Sequence, residues 1–160
     1  MIILGIDPGT ATTGYGLIKK RSQKYEVLDY GCILTPAKAP LSERLGLLAD
    51  ELDEIINKNK PDHLAVEELF FAANTKTAID VGHARGVILL TGRTNGLSIF
   101  EYTPLQIKLA ITGYGRADKK QMQQMVKILL ALDELPNPDD AADALAIAIC
   151  HGNTIKNLKS

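Results

Sequence analysis

Two apolar runs that each end in a carboxylate constrain this chain more than any other feature. Ile2-Ile3-Leu4-Gly5-Ile6 closes on Asp7 and is followed by Pro8-Gly9-Thr10; His63-Leu64-Ala65-Val66 closes on Glu67. Both runs read as buried strands. A carboxylate at the end of a buried strand is costly unless it is paired or bound to a cation. The fold must therefore bring compensation to both strand ends.

The rest of the chain alternates in the same way. Residues 2–6, 13–18 and 25–34 are predicted as the first three strands, with Gly9, Gly14 and Gly16 marking a turn and close backbone approaches. The hairpin joining the second and third strands is expected to carry Lys19, Lys20 and Arg21 at its tip. Leu41, Leu45, Leu48, Leu52, Ile55 and Ile56 recur at helical spacing and predict a helix over 41–58. A strand at 63–67 would then pair parallel to the first through a helical crossover. A loop from Phe70 to Asn74, a helix over 75–92, a strand at 97–101 and helices over 104–111 and 119–132 follow. A last helix, capped by Asn137 with Pro138 at its first position, runs to about His151. At 160 residues this makes one domain, 1–152, with a polar tail over 153–160. The layout is α/β, one mixed five-stranded sheet flanked by helices, and its order resembles the ribonuclease H-like fold.

Bulk properties exclude some classes. No apolar stretch approaches the roughly 20 residues that span a bilayer. The amino terminus has no basic region before its apolar run, unlike a signal peptide. Cys32 and Cys150 lack metal-type spacing and are expected to be buried, reduced thiols, which suits the cytoplasm. The net charge of −1 argues against a nucleic-acid partner, but its distribution argues for one. Residues 43–68 are mostly acidic, whereas Lys108, Arg116, Lys119, Lys120 and Lys127 face only Asp118 over 108–127. Divalent ions at a carboxylate site would shift the local balance further toward a basic surface.

Four acids are candidates for such a site: Asp7, Glu67, Asp140 and Asp143. Converging carboxylates bind hard divalent metals, and Mg²⁺ takes oxygen ligands. That is the chemistry of phosphodiester cleavage. Each motif alone has an ordinary explanation. A strand-end Asp before Gly equally makes a turn, and the same pattern opens phosphate sites in actin-like ATPases and sugar kinases. An isolated Glu67-Glu68 pair is more often a solvated strand end, although alternation sends its two side chains to opposite faces. Acids at a helix start complement the helix dipole. Yet Asp140 and Asp143 share a face while Asp139 is expected to point elsewhere. Ala141, Ala142, Ala144, Ala146 and Ala148 also make that helix thin enough to lie close against a sheet. Phe70 and Phe71 follow the acidic strand end: one is expected in the core, the other free to stack on unpaired bases. His63, His83 and His151 show no common spacing and are expected to be structural or surface residues.

Taken in order, Gly5-Ile6-Asp7-Pro8-Gly9-Thr10, Val66-Glu67, His83-Ala84-Arg85-Gly86-Val87 and Asp140-Ala141-Ala142-Asp143-Ala144-Leu145-Ala146 resemble the RuvC family of bacterial Holliday junction resolvases. The resemblance runs from Met1 to about Gly152. It implies a homodimeric endonuclease dependent on Mg²⁺, two ions per active site with Mn²⁺ as a substitute, that resolves four-way DNA junctions. Cutting would be by paired symmetrical nicks leaving 5′-phosphate ends, in recombination and repair, alongside the branch-migration proteins RuvA and RuvB. The family's metal-binding catalytic acids fall on Asp7, Glu67, Asp140 and Asp143. Its base-contacting aromatic falls on Phe70, and its DNA-contacting lysines on Lys108 and Lys119. Two other readings predict different behaviour: an actin-like ATPase would bind ATP, and a non-catalytic relative of the same fold would lack some of the acids.

Overall fold

The computed structural model describes residues 1–69 and 75–155. Phe70 and the rest of the expected loop to Asn74 lie outside them. Ten elements follow one another: β1 (Ile2–Asp7), β2 (Thr12–Arg21), β3 (Lys24–Leu34), α1 (Leu41–Asn59), β4 (His63–Glu67), α2 (Thr75–Thr94), β5 (Ser98–Tyr102), α3 (Pro104–Thr112), α4 (Lys119–Leu129) and α5 (Asp139–Thr154). The sheet order is β3-β2-β1-β4-β5. β1 pairs antiparallel with β2 and parallel with β4, and β4 pairs parallel with β5. The mixed five-stranded sheet and its helical crossover agree with the sequence.

Side-chain parity divides the core into two layers. Leu4, Ile6, Leu17, Leu64 and Val66 pack with α1 and α2 through Leu48, Leu52, Ile56, Ala84 and Ile88. Ile3, Ile18 and Ala65 face the other way, onto α5 and its neighbours α3 and α4. α5 lies unusually close to the sheet, and two glycines allow it. A Cβ on Gly5 would sit 2.2 Å from the Ala144 carbonyl oxygen, and one on Gly14 would sit 2.0 Å from that of Asp140. The alanines of α5 complete the fit, with Ala141, Ala142, Ala144, Ala146 and Ala148 all buried.

Several boundaries differ from expectation. The hairpin tip is Ser22-Gln23, with Ser22 at φ 55; Lys19, Lys20 and Arg21 are paired strand residues opposite Glu26, Tyr25 and Lys24. α4 stops at Leu129, because Ala131 takes a left-handed φ of 50. Pro138 is the N-cap of α5, not its first residue, and Asn137 does not cap it. The Pro138 carbonyl accepts from Ala141 and Ala142 instead. α5 continues to Thr154, past its expected end near His151. Asn153 explains this: its side chain accepts from the Tyr25 hydroxyl at 2.7 Å and donates to the Ala110 carbonyl. Both cysteines are free, but only Cys150 is buried; Cys32 is half-buried. Among the described residues no helix is long and apolar enough to cross a membrane.

His63 and His151 are structural, as expected, but they also meet, which their spacing did not reveal. His63 Nδ1 lies 2.9 Å from His151 Nε2, and the Tyr102 hydroxyl lies 2.6 Å from His151 Nδ1. Burial, then His63 and Lys20, lowers His151 to about 4, so this fully buried ring is neutral.

Candidate active site

The same parity that builds the core aims the acids. Asp7 follows Ile3 and Gly5 on the α5 side of β1, and Glu67 follows Ala65 on the α5 side of β4. β1 and β4 are parallel neighbours paired as far as Ile6 and Val66, so the two carboxylates leave the same sheet edge together. That edge, at the carboxyl ends of parallel strands, is where open α/β sheets ordinarily bind ligands. Gly14, the partner of Asp7 on β2, lets the first turn of α5 descend onto this edge with Asp140 and Asp143.

The electrostatics show that the four acids share one field. Burial raises Asp7 to about 8, helped by Glu67, Asp143 and Asp140 in that order and opposed by Lys119. Burial likewise raises Glu67, with Asp143 adding to it and Lys108 opposing. Asp143 is raised by burial and pulled back chiefly by Lys119. Cys32 stands at the margin of this field, its thiol raised by burial and by Asp140.

Glu67 and Asp143 open onto a cleft of about 290 Å³. Ile107, Met122, Ala146 and Ile147 form its apolar lining, and Lys108 and Lys119 supply its positive charge. Both lysines are placed by well-made helix starts. In α3, Thr103 and Gln106 form a capping box with Pro104 in the first turn. In α4, Asp118 and Gln121 form another, which sets Lys119 at the first helical position. The Lys119 amine is 3.0 Å from Asp139 Oδ2 and 3.7 Å from Asp143 Oδ2. Behind the cleft, Arg85 on α2 donates to the Glu67 carbonyl at 3.3 Å and forms an ion pair with Glu101 on β5. It therefore anchors the end of β4 from which the Glu67 side chain projects.

Six sequence-derived candidates thus come together: Asp7, Glu67, Asp140, Asp143, Lys108 and Lys119. Phe70 lies outside the described residues. Asp139 does not point elsewhere, contrary to expectation; it shares Lys119 with Asp143, one helical turn on. The i, i+4 spacing of Asp139 and Asp143 carries that signal, alongside the i, i+3 spacing of Asp140 and Asp143.

Among the described residues, no three acidic, histidine or cysteine side chains are already placed so that they could hold a metal ion. The donor set nevertheless suits a hard divalent cation. It consists of partly buried carboxylate oxygens; burial first, and then repulsion from Glu67, Asp143 and Asp140, holds Asp7 protonated far above the ordinary carboxylate range. A cation would relieve that repulsion and displace the proton.

Comparison with known proteins gives a consistent result. Residues 3–151 match the family model of crossover junction endodeoxyribonuclease RuvC. A protein of that name from Desulfitobacterium hafniense (strain DSM 10664 / DCB-2) is 58% identical over 158 residues, covering 99% of this chain and 96% of the relative. Another from Halothermothrix orenii is 59% identical over 156 residues, covering 98% and 94%. Among solved structures, Thermus thermophilus RuvC in complex with Holliday junction substrate superposes with a TM-score of 0.93 at 35% identity, covering 98% of this chain and 96% of that one. The yeast mitochondrial Holliday junction resolvase Ydc2 shares the fold at a TM-score of 0.72 and 15% identity.

Proposed function

The chain belongs to the RuvC family of crossover junction endodeoxyribonucleases, and we propose that it resolves four-way DNA junctions by hydrolysis at the Asp7, Glu67, Asp140 and Asp143 site. It serves recombination and repair in the cytoplasm, alongside RuvA and RuvB. The observation that carries this reading is the gathering of Glu67, Asp140 and Asp143 around Asp7, a half-buried carboxyl raised to about 8 by burial first and then by those three carboxylates, beside a cleft with lysines at its edge.

Asp7, Glu67, Asp140 and Asp143 would hold divalent ions, Mg²⁺ in the cell with Mn²⁺ as a substitute, two per site. Such ions would lower the pKa of a bound water and offset the negative charge that develops on the leaving 3′ oxygen. The protein's own groups do the rest. Arg85 fixes the strand end that carries Glu67. Lys108 and Lys119 offset phosphate charge, each from the edge of the cleft. The apolar lining of Ile107, Met122 and Ile147 limits bulk water in the cleft. Phe70, directly after the Glu67 strand, stacks on a base opened at the crossover. The products carry 5′-phosphate and 3′-hydroxyl ends.

The two opposed scissile bonds of a four-way junction are related by a two-fold axis, and one chain supplies one site. Paired nicks therefore call for a C₂ dimer. The stripe Ala78, Gly82 and Gly86 on α2 is a candidate for close helix approach at its Gly86 end, where nothing lies within 4 Å of an added Cβ, whereas one at Gly82 would meet Leu69 Cδ1 at 3.6 Å. Leu90, 65% exposed, adds apolar surface to the same helix.

The direct test is a strand-labelled synthetic junction incubated with Mg²⁺, with Ca²⁺ or with chelator. Symmetrical nicks in two opposed strands are expected with Mg²⁺ alone, and linear duplex of the same sequence should stay intact. Equal cutting of duplex and junction would defeat the proposal. Sedimentation at micromolar concentration should give a dimer. The lysines make a separate prediction. Lys108→Ala should weaken junction binding in Ca²⁺ and reduce the salt slope by about one per lost phosphate contact. An unchanged slope would return Lys108 to the class of ordinary solvated charges.

A further inference from the structure

Lys119 occupies an electrostatically poor position. It is the first residue of α4, where the helix dipole disfavours a cation. Compensation comes from α5. Asp139 Oδ2 lies 3.0 Å from the amine and Asp143 Oδ2 lies 3.7 Å away. The second oxygen of Asp139 accepts from Gln123 Nε2 at 2.8 Å. Lys119 and Gln123 are one turn apart on α4, and Asp139 and Asp143 are one turn apart on α5. Asp139 is thus gripped from two positions on one helix while it grips the amine.

An ion pair this exposed, at 53% for Lys119 and 61% for Asp139, contributes little to stability. Its placement suggests another use. Asp143 has two claims on it, the Lys119 amine and the proposed cation. A carboxylate that turns its oxygens to a divalent ion loosens its hold on an ammonium group. Asp139 has no such second claim, and Gln123 keeps its carboxylate in place. We propose that Asp139 is a positioning residue, which keeps the Lys119 amine at the cleft edge for the scissile phosphate when Asp143 is engaged elsewhere. This inference rests on the reading of Lys119 as a phosphate contact. Asp139 as a simple dipole-complementing acid at the start of α5 would act independently of Lys119.

The test is a double-mutant cycle with a chemical probe beside it. Asp139→Asn keeps the shape and the bond from Gln123 but removes the charge; Asp139→Glu restores the charge. In DNA-free protein held in Ca²⁺, which would engage Asp143, Lys119 should react with an acetylating reagent several times faster in Asp139→Asn than in the parent, measured by peptide mass spectrometry against Lys120. Single-turnover junction cleavage should slow by about tenfold, as expected for a displaced catalytic contact. Asp139→Glu should recover part of that loss. In a Lys119→Ala background the Asp139→Asn change should have no further effect. Additive losses, with Lys119→Ala itself slow, would overturn the proposal alone. Unchanged acetylation would do the same. Normal cleavage by Lys119→Ala would overturn it together with the phosphate-contact reading.

Discussion

Asp7→Asn should lower junction cleavage by roughly 10³-fold or more while leaving junction affinity in Ca²⁺ nearly unchanged. The substitution removes the most buried of the interacting carboxylates, the one on which Glu67, Asp143 and Asp140 all act. Phosphate contacts from the cleft edge survive, because Lys108 and Lys119 are held by their own helices. The same substitution should have the opposite effect on stability. An unfolded Asp7 releases its proton near 3.8, whereas the folded, metal-free protein retains it to about 8. Across that interval the unfolded state binds fewer protons, so stability falls as pH rises from about 4 to about 8 and is fullest below that window. Burial also raises Glu67 and Asp143, which adds to the trend with the same sign. Asn cannot ionise. Metal-free Asp7→Asn should therefore melt several degrees above the parent at pH 8 and show a smaller gap at pH 4. Added Ca²⁺ should stabilise the parent more strongly as pH rises, since binding displaces the proton, and should stabilise the variant far less. Thermal melts with and without chelator, across that range, measure all of this. Near-normal cutting by Asp7→Asn, or an unchanged dependence of its stability on pH, would remove Asp7 from the centre of the site.

Much of this arrangement is legible in the sequence, and the reason is periodicity. Strand alternation alone puts Asp7 with Ile3 and Gly5, and Glu67 with Ala65; the parallel pairing of β1 with β4 then makes the two acids neighbours. The run of alanines in α5 marked a helix that could lie close to the sheet, and Gly14 marked a close approach without naming what approaches. The misreadings concern contacts between distant parts of the chain. Asp139 and Lys119 meet because α4 and α5 lie side by side, which neither helix's own pattern encodes. His63 and His151 are 88 residues apart and meet only through the register of β4 against α5. Asn153 extends α5 because Tyr25, far back on β3, reaches it. Arg85 belonged to a recognisable motif, but its hold on the Glu67 carbonyl required knowing that α2 backs the end of β4. Local spacing specifies which face a side chain leaves from; the partner on that face is set by packing.

Gly14→Ala should be among the most damaging single-methyl changes at the described residues, and it tests how the site is assembled. The added carbon would lie 2.0 Å from the Asp140 carbonyl oxygen and 2.4 Å from the carbonyl carbon. These are backbone atoms of the first turn of α5, so no side chain can rotate away. α5 cannot shift as a whole without cost, because Ala141, Ala142, Ala144 and Leu145 are packed in the core. The expected result is overpacking, at about 1–3 kcal/mol of stability. Cleavage should suffer more than stability. Lifting the first turn of α5 moves Asp140 and Asp143 away from Asp7, and a displacement of about 1 Å at a catalytic constellation can cost about 10²-fold in rate. Gly46→Ala is the matched control. Gly46 lies on the exposed side of α1 with nothing within 4 Å of an added Cβ, so that change should stabilise by about 0.4–1 kcal/mol and leave cleavage alone. Denaturant melts and single-turnover cleavage, compared for the two variants at equal folded concentration, separate a steric effect at the site from a general effect of replacing glycine. If Gly14→Ala melts and cuts like the parent, the close seat of α5 on β2 is not what brings the four acids together.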